Sequence, residues 1–469
     1  MTLAPPLLVC SGCGAALPID APEAYRCPAA RAGDDTDHVL AFRLPASPAG
    51  SGLGDPSETN PFVRWRTALG SWHRATASGW SDARFVDLVR RLDEQVAKVD
   101  GRGFRVTPFG AAPTLSEALG FAAPGGVLVK DETGNVSGSH KARHLFGILL
   151  HLEVAGIAKE RRLAIASCGN AALAAAVVAK SAGRPLDVFI PPDASEPVVR
   201  RLEALEARLV RCPRVPGESG DPCVLRFRDA VAGGALPFTC QGPDNGLAIE
   251  GGEAIAREIV SSGERIDRIV LQVGGGALAS AVARGLLGAV EAGALPSLPR
   301  ISVVQTRGAF PLPRALDRLV RWIDGGKPLL DAAPSAGRLP EVTEIPAGLA
   351  NDRIEAALRF AATHRSSFMW PWESEPKSLA HGILDDETYD WLSIARGLLR
   401  AGGEAIAVDE ETIARANDLG RSSTGIAVDP TGTSGLAGLL ALRRAGIGSA
   451  GERVAVLFTG AERERGREA

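Results

Sequence analysis

The sequence predicts an α/β protein with a mostly parallel sheet, and three observations point that way. Short apolar runs rich in branched residues recur along the chain, each the length of a strand buried on both faces. Alanine-rich or amphipathic stretches of helical length separate them. Aromatic residues make up only 5% of the chain while glycine reaches 54 of 469 positions. That balance suits closely packed α/β layers better than a sandwich built on aromatic anchors. A chain of this length exceeds what one core usually organises, so two or more lobes are expected.

The elements follow in order. Residues 1–45 stand apart: CSGCGAALPIDAPEAYRCPAARAGDDTDH holds three cysteines and one histidine with little to fill a core. The stretch GSGLGDPSETNP (50–61) reads as a connector rich in turn formers. Strands are predicted at GVLVKD (126–131), RLAIAS (162–167), LDVFIP (186–191), RIVLQV (268–273), RISVVQ (300–305) and VAVLFT (454–459). Helices are predicted at AALAAAVVAKSAG (171–183) and ALASAVARGLLGAV (277–290). The stretch 307–375, with its tryptophans, offers either the lining of a substrate entrance or plain surface packing. The chain closes on a charged run, ERERGREA.

Bulk properties exclude several classes. A formal net charge of −3 gives no electrostatic reason to expect nucleic acid or an anionic membrane surface as partner. No stretch approaches the ~20 apolar residues that span a bilayer. The start, MTLAPPLLVC, lacks the basic region and the long apolar run of a secretory signal. Seven cysteines, an odd number spread over the chain, argue for reduced thiols and a cytoplasmic location.

Three predicted strands run straight into small-residue turns that open helices. In a parallel sheet, ligands collect at the carboxyl ends of strands. The turn after GVLVKD is ETGNVSGSHK, which ends on Lys141: either a solvated charge at a helix start or an amine held for chemistry with a carbonyl. Gly274, Gly275 and Gly276 with Ala277 and Leu278 follow RIVLQV. Glycines let backbone N–H groups converge on an anion, and the following helix adds its dipole. The run is neither GxGxxG nor GxxxxGK[ST], so nothing suggests a dinucleotide or a nucleoside triphosphate; a tight turn needing positive φ is the plain alternative. Ser167, Cys168, Gly169, Asn170 and Ala171 offer backbone donors, a hydroxyl and an amide suited to a carboxylate, or simply a helix cap. Cys168 has no histidine near it in sequence to act as a base, which argues against a thiol nucleophile. In VDPTGTSGLAGLLAL (428–442), Thr431, Thr433 and Ser434 can meet a ligand heteroatom or cap the helix. An amine, a phosphate cradle, a carboxylate turn, an amide and a neutral hydroxyl together are what pyridoxal phosphate and an amino acid require.

These pieces, in this order, resemble the tryptophan-synthase-β-like superfamily of pyridoxal phosphate enzymes (fold type II), closest to the threonine synthase and threonine dehydratase branch. The resemblance spans roughly residues 60 to 460. It rests on NPFVRWR (60–66), LVKDETGNVSGSHKAR, SCGNAA, NGLAIEGGEAIAREI (245–259), VGGGAL and VDPTGTSGLAGL. It implies a two-lobed α/β fold with mostly parallel sheets flanked by helices. The catalytic region would cover 60–465, with a smaller lobe at roughly 142–245 inserted in the larger one. It implies that Lys141 holds the cofactor covalently and moves protons at the substrate α-carbon. Asn170 would meet the ring's phenolic oxygen, Ser167 to Ala171 the substrate carboxylate, and Gly274 to Leu278 the phosphate. Thr431 or Thr433 would face the ring nitrogen. The implied activity is elimination or replacement at Cβ or Cγ of a small amino acid by a homodimer. A β-replacement enzyme of the tryptophan synthase β type and a non-catalytic cofactor-binding homologue are the alternatives; an intact Lys141 weighs against the second.

The sequence departs from the threonine synthase pattern at His140 and Ala142, and His140 is more like tryptophan synthase β chains. His140 is read either as an acid/base helper or as a packed neighbour of the ring. Glu253 stands where threonine synthases carry a basic residue, which predicts poor recognition of phosphorylated substrates. Cys10, Cys13 and Cys27 look like the zinc-ribbon-like piece ahead of some threonine synthases, with His38 as the fourth ligand. The two readings are a structural zinc distant from the chemistry and a degenerate ribbon with free thiols.

Overall fold

The computed structural model describes residues 5–45, 54–215, 217–218, 220–325 and 339–463. In chain order the strands are β1 (Leu7–Cys10), β2 (Ala16–Pro18), β3 (Leu40–Arg43), β4 (Phe109–Ala111), β5 (Gly126–Asp131), β6 (Leu163–Ala166), β7 (Leu186–Ile190), β8 (Arg208–Arg211), β9 (Leu236–Pro237), β10 (Arg268–Gln272), β11 (Arg300–Thr306), β12 (Val342–Ile345), β13 (Gly403–Val408) and β14 (Arg453–Phe458). They form three sheets. A three-stranded antiparallel sheet orders β2-β1-β3, a seven-stranded sheet β12-β13-β11-β10-β14-β5-β4, and a four-stranded sheet β8-β7-β6-β9. In the large sheet the five central strands are parallel and the edge strands β12 and β4 are antiparallel. The small sheet is parallel throughout.

Every strand expected from sequence is present, within a residue or two at its ends. Their apolar character follows from burial on both faces: all five residues of β7 and all five of β10 are buried. The predicted helices are found at Asn170–Ser181 and Ala277–Glu291. After β5 the chain leaves the large sheet, builds the small one, and returns at β10. Helix Lys141–Val154 makes the crossing and buries Leu145, Phe146, Ile148 and Leu149 completely.

Four sequence readings fall partly outside the described residues: 1–4 of the N-terminal segment, 50–53 of the connector, 326–338 of the 307–375 stretch, and 464–469 of the charged end. The rest of the connector is a turn in which Asp55 accepts from Ser57. It leads to Asn60, whose side chain caps helix Pro61–Arg64. Among the described residues, no helix is long and apolar enough to cross a membrane.

The N-terminal segment is anchored on two sides. Asp35 accepts from Ser366 N at 2.7 Å and Oγ at 3.0 Å, and Asp37 N donates to Ala362 O at 2.7 Å. On the other side Gly246 N donates to Tyr25 O at 2.9 Å, and Glu23 pairs with Arg161.

Candidate active site

β5 ends at Asp131, whose carboxylate accepts from Thr133 N and Oγ1 at 2.8 and 2.6 Å and turns the chain. A short 3₁₀ turn at Val136–Gly138 follows, with Ser137 in the left-handed region at φ 55°. Ser139 then bridges to Gly460, and Lys141 emerges as the first residue of its helix. Lys141 is partly buried, and its charge is felt by His140, His144, Cys240, Asp385 and Asp390. The lysine therefore sits within electrostatic reach of residues from well-separated parts of the chain.

His140 is buried beside Lys141. Its Nδ1 and backbone N both donate to Thr459 O at 3.2 Å. Burial, then the Lys141 charge, holds its pKa well below the usual histidine value. His144 lies across from it with ring centroids 5.8 Å apart, donates from Nδ1 to Ala248 O at 2.9 Å, and is pushed down to about 3 by the same causes. The Nε2 atoms of both rings and the Ser139 hydroxyl are buried without a hydrogen-bond partner among the described residues. Polar atoms left this way around a lysine suit a ligand that brings its own polar groups.

The glycine run sits at the end of β10. Gly276, at φ +101°, caps helix Ala277–Glu291, a backbone angle that L side chains rarely adopt. A Cβ on Gly274 would stand 2.4 Å from an Asp385 carboxylate oxygen, and one on Gly275 would stand 2.9 Å from the Tyr389 ring. The Asp385 carboxyl thus lies against the loop at the start of a 15-residue helix, where the Gly275 N–H favours its charged form. Burial raises the Asp385 carboxyl, and Lys141 and the Gly275 N–H oppose that rise. From behind, Thr388 Oγ1 donates to Gly274 O and Asp390 N to Gly275 O, both at 3.2 Å. Ala277 and Leu278 are buried in the helix's first turn.

The turn after β6 places Ser167, Cys168 and Gly169 ahead of helix Asn170–Ser181. Gly169 N donates to Ser167 Oγ at 3.4 Å, and Ala171 lies in the first helical turn. Desolvation in the cleft raises the Cys168 thiol pKa, and Asp221, Asp193 and Asp385 push it the same way. A thiolate nucleophile is thereby disfavoured, as the sequence suggested.

The hydroxyls of the 428–442 turn divide. Thr433 is fully buried, with its hydroxyl held among Asp429 O, Pro430 O and Asn417 Nδ2 at 3.3, 3.4 and 3.2 Å. Ser434 Oγ is spent on Pro430 O at 2.8 Å. Thr431 is half-buried and accepts from Gly382 N at 3.0 Å.

Sequence reasoning missed several participants. Gln272, a polar residue that ends the apolar run of β10, donates from Nε2 to Gly432 O at 2.9 Å and Thr459 Oγ1 at 2.7 Å. It ties the glycine strand to the threonine turn and to β14, and its odd polarity was a usable signal. Asp385, Thr388 and Tyr389 come from a stretch with no legible motif. Beneath Lys141 lies a buried charge cluster. Arg143 grips Glu132 through Nε and Nη2 at 2.8 and 2.9 Å and Glu258 through Nη1 at 2.6 Å. Lys130 also bonds Glu258, and donates to Thr107 O at 2.7 Å. Glu253 lies elsewhere: it pairs with Arg284 at 3.0 Å and Arg257 at 3.3 Å beside the ribbon, so it does not bear on substrate phosphate as the sequence comparison suggested.

Cys10, Cys13, Cys27 and His38 gather with their ligand atoms all within 4.8 Å of one another. Cys10 Sγ lies 3.5 Å from His38 Nδ1, and Cys13 Sγ 3.6 Å from Cys27 Sγ. The His38 Nε2 contacts Asp34 at 3.2 Å, the second-partner arrangement common to metal-bound histidines. Cys27 and His38 border the same cleft as Asp386, Glu387 and Tyr389.

Residues 102–460 match the family model described as pyridoxal-phosphate dependent enzyme. A serine dehydratase-like protein of Mus musculus is 31% identical over 286 residues, covering 60% of this chain and 77% of the relative. Threonine synthase of Methanosarcina acetivorans is 25% identical over 365 residues, covering 76% and 74%. Among solved structures, maize serine racemase superposes with a TM-score of 0.54 at 19% identity, covering 80% of this chain and 94% of that one. At that identity it attests the fold.

Proposed function

The chain belongs to the pyridoxal-phosphate dependent enzymes, and from that premise we propose that it eliminates or replaces a substituent at Cβ or Cγ of a small amino acid, as serine or threonine dehydratases and threonine synthases do. What supports the reading is that Asp385, set against the Gly274–Gly275 loop, feels the Lys141 charge and is felt in turn by Cys168 of the Ser167–Ala171 turn, while Thr431 offers a neutral hydroxyl beside Gly382. The bound cofactor supplies an electron sink for charge at the substrate's α-carbon. A threonine cannot keep the ring nitrogen protonated as an aspartate would, which favours elimination and replacement over transamination. Lys141 holds the cofactor and moves the α-proton. The N–H groups at the start of helix Asn170–Ser181 take the substrate carboxylate, Asn170 the ring oxygen, and Gly274 to Leu278 the phosphate. The proposed smaller lobe, roughly 142–245, contributes the carboxylate turn.

Purified protein is expected to absorb near the visible edge and to shift when an amino acid is added. Screening serine, threonine and phosphohomoserine for keto-acid or threonine release then separates elimination from replacement. Failure to take up pyridoxal phosphate at all would refute the reading.

Asp385 yields a sharper expectation. The cofactor phosphate and the Asp385 carboxylate need the same Gly275 donor, and like charges repel. Asp385→Asn is expected to tighten pyridoxal phosphate binding to the stripped enzyme by roughly tenfold, about 1.4 kcal/mol. Equilibrium titration of the visible band reads this directly, and weaker binding would show that the carboxylate assists the phosphate instead.

For the ribbon we propose a structural zinc on Cys10, Cys13, Cys27 and His38. Three thiolates and an imidazole suit a closed tetrahedral site, whose ligands at about 2.3 Å from the metal would stand about 3.8 Å apart, close to the 3.5 and 3.6 Å contacts seen. Metal analysis should find one zinc per chain in the parent and none in Cys13→Ser, with a lower unfolding temperature. Equal zinc in both would dismiss the site.

A further inference from the structure

Arg463 lies three residues beyond the stretch that matches the family, in a segment legible from sequence only as charge. Its Nη2 donates to Ser137 O and to Asn170 Oδ1, each at 2.8 Å. One nitrogen thus joins the lysine loop to the turn after β6. The residues before it stitch the same loop: Ala461 N donates to Gly138 O at 2.8 Å, and Gly460 bridges to Ser139.

A primary amide has two ends of opposite polarity, and a guanidinium only donates. Arg463 therefore selects the Asn170 oxygen and turns the nitrogen to the other side. There the nitrogen lies 2.8 Å from the place a Cβ on Gly460 would occupy, and the Asp429 carboxylate borders the same space at 3.3 Å. A carboxylate beside the nitrogen and a cation on the oxygen favour the same orientation. With Oδ1 turned to Arg463, Asn170 presents its N–H, not its oxygen, to the other side. An oxyanion such as the cofactor's ring oxygen requires that; a flipped amide would face it oxygen to oxygen.

We infer that Arg463 is a positioning residue that locks the Asn170 amide with its N–H available to the ring oxygen of the cofactor. The inference rests on the reading that Asn170 meets that oxygen. Arg463 itself touches neither substrate nor reacting atoms in this role. It acts through the amide, and through the Ser137 carbonyl it holds the lysine loop at a fixed distance from that amide.

The test compares holoenzyme of the parent, R463Q, R463K, N170A and the double variant R463Q/N170A. The readout is the pH at which half the visible band of the lysine-bound cofactor is lost. A donor on the ring oxygen stabilises the deprotonated form, so its loss raises that midpoint. N170A and R463Q are expected to raise it by about half to one pH unit, the weight of one hydrogen bond. R463K, which keeps a cationic donor, should shift less in the same direction. The double variant should move no further than N170A alone, because Arg463 works through Asn170. A parental midpoint in R463Q beside a raised one in N170A overturns the inference and leaves the Asn170 reading intact. A parental midpoint in N170A removes that reading and the inference with it. If R463Q does not fold, R463M, which keeps the stem and loses the donor, decides by the same comparison: an unmoved midpoint overturns the inference, a raised one supports it.

Discussion

Lys141→Ala is expected to lose the visible absorbance band and to lower turnover by roughly 10³-fold or more. Two roles vanish with one amine: the covalent tether of the cofactor and the base at the α-carbon. No described neighbour replaces it. His140 and His144 spend their Nδ1 protons on backbone carbonyls, and Lys130, the one fully buried lysine among the described residues, is locked onto Glu258 and Thr107 O. The glycine loop, the Asn170 turn and Thr431 remain in place, so the variant should still bind pyridoxal phosphate noncovalently. Retention of full turnover would refute the mechanism, and loss of all cofactor affinity would mean that the tether supplies most of the binding.

Glu258→Gln is expected to cost about 3–5 kcal/mol of folding stability. Lys130, Glu132 and Arg143 are completely shielded from solvent and Glu258 nearly so. Two cations face two carboxylates there, and removing one charge leaves a buried cation uncompensated. Urea unfolding followed by circular dichroism at pH 7 measures the loss, and a change under 1 kcal/mol would show that water reaches the cluster. The parent should also weaken in acid. Arg143 and Lys130 overcome burial and hold the Glu258 carboxyl below its usual value. Its contribution is present above the ordinary carboxylate range and lost as pH falls through the depressed folded value. His144 acts in the same direction. The unfolded chain protonates it near 6.5 while the folded site resists to about 3, so stability declines as pH drops through that window.

Much of the scaffold was legible because both-face burial leaves an unambiguous mark. Runs such as RIVLQ and RVAVLF admit little else, and the glycine and Ser-Cys-Gly-Asn turns follow such strands directly. Lys141 was legible for the same reason, as the last residue of a turn leaving a strand. What escaped was contributed at long range. Asp385 reaches the glycine loop across more than a hundred residues, and Arg463 reaches Asn170 across nearly three hundred. No local period encodes such meetings. The choice between Thr431 and Thr433 was equally closed to sequence, since both fit a turn and only packing beneath Asn417 distinguishes them. Glu253 misled for the opposite reason: its place in a motif was clear, but its side chain turns to Arg257 and Arg284 instead of the crevice.

The four-charge cluster also bears on how this sequence can diverge. A lineage that lost Glu132 or Arg143 alone would pass through a poorly folded intermediate, whereas exchanging a cation and a carboxylate together, or all four for hydrocarbon, crosses no such valley. Descendants of this chain should therefore keep or replace positions 130, 132, 143 and 258 in concert.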